Sequence, residues 1–235
     1  MAVEYLEPGR GLIATNLAEI ARFNGPTGDD DATRTAVQLL KKFYAASNNA
    51  FSPSALKPLE FRDGPMHAAI SALNKKENLS EEESTQLTVL KTAVTLEFYI
   101  LLNSTIVPVV PDIHHWDFTR PEDLGTPYEF TGPGKRPLIA AWNELKYAGL
   151  LSNPHDPSKP EFDSAFVLNP NRLARQAKII AEETGLDATR LLQTTFVNAA
   201  QIAGRRIVNG TPEGQVTPKF FCDLAQSSQK ALELL

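Results

Sequence analysis

The sequence predicts an all-α protein of about seven or eight helices with at most one small β-hairpin, near residues 151–169. Three observations carry that prediction. Apolar residues recur at helical intervals over long stretches, most clearly in "LSEEESTQLTVLKTAVTLEFYILLN", where Leu87, Leu90, Val94, Phe98, Leu101 and Leu102 fall on that period. Start and stop residues bracket such stretches: Ser80 and Glu83 have capping-box spacing, Pro137 and Pro218 stand near helix starts, and Gly185 closes one. Only "SAFVLNP", residues 164–170, reads as a short strand.

In chain order, Leu12, Leu17, Ile20 and Phe23 suggest a short first helix closed by the breaker "NGPTG". The run Asp29-Asp30-Asp31 then puts carboxylates where a second helix would begin, favourable to its macrodipole, and that helix carries Val37, Leu40, Phe43 and Tyr44. "SNNAFSPSALKPLEFRDGP", with three prolines, reads as a connection before a helix over 66–73. The stretch 80–103 is expected to be the buried central element, because apolar residues surround its end and Glu97 is the one charge there. Pro108 and Pro111 are expected to stop regular structure, leaving 111–136 as an irregular connection. Helices follow from Pro137 to about Gly149, over 171–184, over about 187–208 and after Pro218. Ala199, Ala200, Ala203 and Gly204 would let another helix approach closely. This divides the chain into an N-terminal helical lobe (1–110), the connection (111–136) and a C-terminal helical lobe (137–235), which could equally form one compact domain.

With 235 residues, the chain is long enough to bury a sizeable core. A single cysteine, Cys222, excludes an internal disulfide framework and fits a reducing compartment. "MAVEYLEPGRG" lacks the basic start and apolar run of a secretory signal, so the expected location is cytoplasmic or intracellular, not secreted. Glu97, Asn103 and Pro108 interrupt the most apolar stretch, which argues against a membrane span. The net charge of −5 gives no general attraction to nucleic acid. Its distribution is uneven: residues 61–134 hold 5 Lys/Arg against 11 Asp/Glu, and residues 135–178 hold 7 against 4. Two segments that neutralise each other inside one fold would explain this most simply.

"VVPDIHHWDF" is the stretch closest to chemistry, with Asp112, His114, His115 and Asp117 in six residues. Asp112 and His114, two apart in an extended segment, would face one side and could touch one metal ion. This resembles the opening motif of calcineurin-like metallophosphoesterases, but the Gly-Asp, Gly-Asn-His and Gly-His motifs that family needs are absent, which excludes it. No H-E-x-x-H, Glu-x-x-His or Cys-x-x-Cys is present. The plainer reading is a polar loop anchored by Trp116 and Phe118, with no cofactor and no metal. A Gly-x-Ser-x-Gly elbow is missing, and Cys222 in "KFFCDLAQ" reads as a small buried thiol. "FTGPGKRP" fails as a Walker A loop, since Glu129 and Arg136 occupy its required Gly and Ser/Thr positions. Gly132, Gly134, Lys135 and Arg136 before a helix start would still favour an anion.

Residues 136–170, "RPLIAAWNELKYAGLLSNPHDPSKPEFDSAFVLNP", resemble the recognition helix and wing of a winged-helix module. That resemblance implies a helix in the major groove and a wing on the backbone or minor groove. Lys135, Arg136, Lys146, Lys159, Arg172, Arg175 and Lys178 would supply the basic stripe. The preceding "PEDLGTPYEFTGPG" departs from the pattern, for it cannot form the companion helix.

Function is therefore read chiefly by exclusion. The leading expectation is a non-enzymatic helical interaction or structural protein, partnered by itself or another protein, with a coat- or nucleocapsid-like assembly as one version. One alternative is a nucleic-acid-binding protein using residues 135–178; the other is an enzyme using Asp112, His114 and His115. No membrane partner is expected.

Overall fold

A computed structural model of the chain describes residues 17–48, 56, 63–110, 113, 118–119, 129–130, 138–152, 160–212 and 216–235; in the first helix, side chains are described from Asp29 onward except Ala32 and residues 46–48. Among the described residues the chain is mostly helical, with eight helices: α1 (Leu17–Asn48), α2 (Asp63–Asn74), α3 (Glu81–Leu102), α4 (Leu145–Ser152), α5 (Pro160–Val167), α6 (Pro170–Thr184), α7 (Ala188–Asn209) and α8 (Pro218–Leu232). Two small antiparallel ladders accompany them. Strand β1 (Ile106–Val109) pairs with β4 (Ile139–Trp142) in the register Ile106↔Trp142, and β2 (Phe118–Thr119) pairs with β3 (Glu129–Phe130).

The end signals act as their chemistry requires. Ser80 accepts from the Glu83 N–H while the Glu83 carboxylate accepts from the Ser80 N–H, so two otherwise orphaned donors at the start of α3 are satisfied. With Lys76 and Ser80 both bonding its carboxylate, Glu83 is lowered to about 2. The Asn169 side chain caps α6 and the Asp187 side chain caps α7. Gly185 adopts φ 75°, the left-handed turn that ends α6.

Several expectations are corrected. "NGPTG" does not separate two helices, since α1 runs through it. The Asp29–Asp31 run therefore lies inside a helix rather than at its start. Residues 160–167 of the expected hairpin are helix α5, so "SAFVLNP" forms no strand. Pro160 stands at the first helical position, which suits a helix start, and α5 contacts α6. Residues 139–142 of the expected 137–149 helix are instead strand β4, because Trp142 and Ala141 are buried by pairing with Ile106 and Val107. Pro108 does not stop regular structure either: it sits within β1, where a two-stranded ladder has an outer edge that needs no N–H donor.

The largest correction concerns the centre of the molecule. Helix α7, with twelve buried residues against six in α3, is the core element, and α2, α3, α4, α6 and α8 all pack on it. Its small residues explain this. A Cβ on Gly204 would lie 3.1 Å from the Met66 Cα, so the backbones of α2 and α7 nearly touch there. Ala199, Ala200 and Ala203 are fully buried beside it. The close approach read from these residues occurs inside the chain. One apolar cluster runs from Ala36 through Leu90, Leu151 and Phe196 to Ala231, drawing on both proposed lobes.

Candidate interaction surface

The residues singled out by sequence fall into three groups. Asp112, His114, His115 and Asp117 lie outside the described residues, as do Lys135, Arg136 and Lys159. Ile113, between the loop's polar residues, is described and buried. Its carbonyl oxygen would be 1.6 Å from a Cβ on Gly149, so only glycine lets α4 cross the chain at this point. Among the described residues no group of three or more His, Cys, Asp or Glu could hold a metal ion.

The described members of the basic stripe do not form a surface. Arg172 is buried and donates through Nε and Nη2 to Asp29, at 3.1 Å each. Arg175 donates to Asp30 at 2.6 Å and to Asp29 at 3.2 Å. Gln176 adds bonds of 2.6 Å to Asp29 and 3.0 Å to Asp30. The Arg172 guanidinium also lies 4.3 Å from the centre of the Phe166 ring. Arg34 of α1 pairs with Glu182 and Glu183 at the other end of α6, and the Lys41 ammonium donates to the Glu183 carbonyl. The acidic run and the α6 arginines thus form one charged seam between α1 and α6. Bidentate geometry and the extra donors make such a buried pair tolerable. Lys146 is buried with its ammonium over the Tyr44 ring at 4.6 Å, and burial lowers its pKa. Lys178 is exposed and donates to the Leu234 carbonyl at 3.0 Å.

Cys222 is buried, and desolvation pushes its thiol up to about 12, the opposite of what a nucleophile requires. Glu97 is buried too, with its carboxylate accepting from Gln201 of α7 at 2.7 Å. It anchors one side of α3.

The other side of α3 is where the structure departs most from the sequence reading. Phe98, Tyr99 and Leu102 are 60%, 59% and 64% exposed, and Leu101 and Ile106 are exposed beside them. Phe98 and Tyr99 meet edge to face, ring centres 6.2 Å apart. From Thr92 to Ile106 every exposed side chain is uncharged. Next to this patch, α3, α7 and α8 enclose a groove of about 420 Å³, with Tyr99, Phe196 and Leu232 among its apolar walls and Thr95, Gln193 and Gln229 supplying neutral hydrogen-bonding groups. Large apolar side chains this exposed and this contiguous mark association surfaces more often than solvated ones. Sequence did contain the signal: the apolar residues near the end of α3 occupy more of its circumference than one neighbour can cover. Periodicity alone reads that excess as deeper burial.

Among the described residues no helix is long and apolar enough to cross a membrane. No protein-family profile, curated protein or solved structure matches the chain.

Proposed function

We propose that this is a non-enzymatic helical interaction protein that self-associates through the outer face of α3. The observation that carries the reading is the contiguous, charge-free apolar patch of Phe98, Tyr99, Leu101, Leu102 and Ile106. Exposed apolar surface costs free energy in water, about 25 cal/mol per Å², and contact with another protein surface recovers it. The small-residue face of α7 lends no support, because α2 covers it. A nucleocapsid-like version of the assembly needs an outward basic stripe, and Arg172 and Arg175 are engaged by Asp29 and Asp30 instead.

The test is the mass of the full chain in solution by light scattering over a rising concentration series, with 260 and 280 nm absorbance recorded before and after nuclease treatment. The expected result is a protein-only species above the chain mass of 25.8 kDa, unaffected by nuclease. A mass of 25.8 kDa at every concentration removes the self-association reading. A species that collapses on nuclease treatment transfers the function to nucleic acid.

A further inference from the structure

We propose that the outer face of α3 forms a two-fold contact with itself, α3 of one copy lying antiparallel on α3 of a second, with Phe98 of each entering the groove beside Tyr99 of the other. The inference rests on the self-association reading and specifies its geometry. Four features single out a second copy as the occupant.

The first is charge. In a chain of net charge −5, contact on a neutral surface adds no local like-charge penalty to the overall repulsion, and the exposed side chains from Thr92 to Ile106 are neutral throughout. An oppositely charged partner would find nothing here to pair with. The second is shape. The same face carries a projection, Phe98 and Leu102, and a hollow, the groove of about 420 Å³ walled by Tyr99, Phe196 and Leu232. A two-fold contact requires both halves of the fit on one surface, because residue i meets j while j meets i.

The third is area. Five large side chains, each about half exposed, present on the order of 100 Å² apiece. Two copies would cover roughly 1,000 Å² before the groove walls are added, which reaches the lower bound for a specific interface. The fourth is direction. Thr95, Phe98 and Leu102 recur at spacings of three and four in the last two turns of α3, the seam of a helix pair. A parallel pair would bring together the Glu81, Glu82 and Glu83 clusters of the two copies, whereas an antiparallel pair centred on Phe98 places them at opposite ends.

The experiment uses two double variants of the full chain, Phe98→Glu with Leu102→Glu, and Phe98→Lys with Leu102→Lys. Each is measured alone and in a 1:1 mixture by light scattering at low ionic strength. Circular dichroism checks that each keeps its helices. The expected result is a wild-type mass of twice 25.8 kDa, each variant alone at 25.8 kDa, and a mixture that returns to twice that mass. Recovery on mixing occurs only where the face meets its own copy. Variants that stay paired, or single variants that do not recover when mixed, overturn the two-fold contact while self-association stands. A wild type at 25.8 kDa throughout overturns both. Should either double variant lose helix, Thr95→Glu and Thr95→Lys, at an exposed and already polar position, carry the same comparison.

Discussion

The α1–α6 seam and the outer face of α3 invert the usual distribution of polarity. In the seam, Asp29 and Arg172 are 1% and 2% exposed, with Arg175 and Gln176 closing the network around them. On α3, Phe98 and Leu102 stand in solvent at 60% and 64%. The difference teaches where each kind of side chain is used. Charges placed on two helices that must find each other across the sequence select one partner face, because only matched geometry compensates their desolvation. Apolar residues in excess of what the core can cover remain outside, where they are available to a second molecule. The seam accordingly bears on stability, and the face is the surface we propose for association.

The sharpest way to break this contrast is Asp29→Ala. It leaves Arg172 buried without its bidentate acceptor, and urea denaturation should show a loss of about 3–5 kcal/mol. A loss below about 1 kcal/mol would mean that the seam is decorative. Alkaline titration comes next. Burial pushes both the Cys222 thiol and the Tyr147 phenol up to about 12. Below about pH 7.5 both groups are protonated in folded and unfolded chains alike, so they add no pH dependence. Above it the unfolded chain ionises first and stability should fall toward pH 12, at roughly 1.4 kcal/mol per unit of displacement. Lys146, whose pKa burial lowers, works in the opposite direction below its ordinary value of 10.5 and moderates the fall. Denaturation midpoints from pH 8 to 11 measure the balance.

Gly149→Ala should cost about 1–3 kcal/mol through the clash with the Ile113 carbonyl, read as a lower melting temperature. Ser80→Ala removes one half of the α3 capping box and should cost about 1 kcal/mol. At the other end of the scale, Leu102→Ser should change monomer stability by no more than about 0.5 kcal/mol while weakening self-association. A large stability loss there would show that the face is part of the fold after all.

Much of the fold was legible because its signals are local. The Ser80–Glu83 box, the Gly185 turn and the period of α6, α7 and α8 depend on residues within a few positions of one another. What was misread depends on distant partners. Residues 139–142 are a strand because Ile106–Val109 lies beside them, and Asp29 belongs to a seam because Arg172 reaches it across the chain. Periodicity reports that a helix has an apolar side, and says nothing of which neighbours cover it. The apolar end of α3 reads as interior, yet half of it faces out. For the same reason Arg172 reads as a surface cation, yet it is buried against Asp29, while Lys178 is exposed. The His114–His115 loop lies outside the described residues, and the reading of it from sequence is unchanged.

The seam also imposes an order in time. Asp29 and Arg172 are 143 positions apart, so during synthesis the acidic stretch of α1 leaves the ribosome long before the helix that donates to it exists. At typical elongation rates of about 5–20 residues per second, that interval is roughly 7–30 s. Throughout it, Ala36, Val37, Leu40 and Phe43, which the finished fold buries, await the C-terminal half of the chain. Folding of the first helix into place thereby waits for α6, and nascent chains stalled before α6 should remain sensitive to protease across α1.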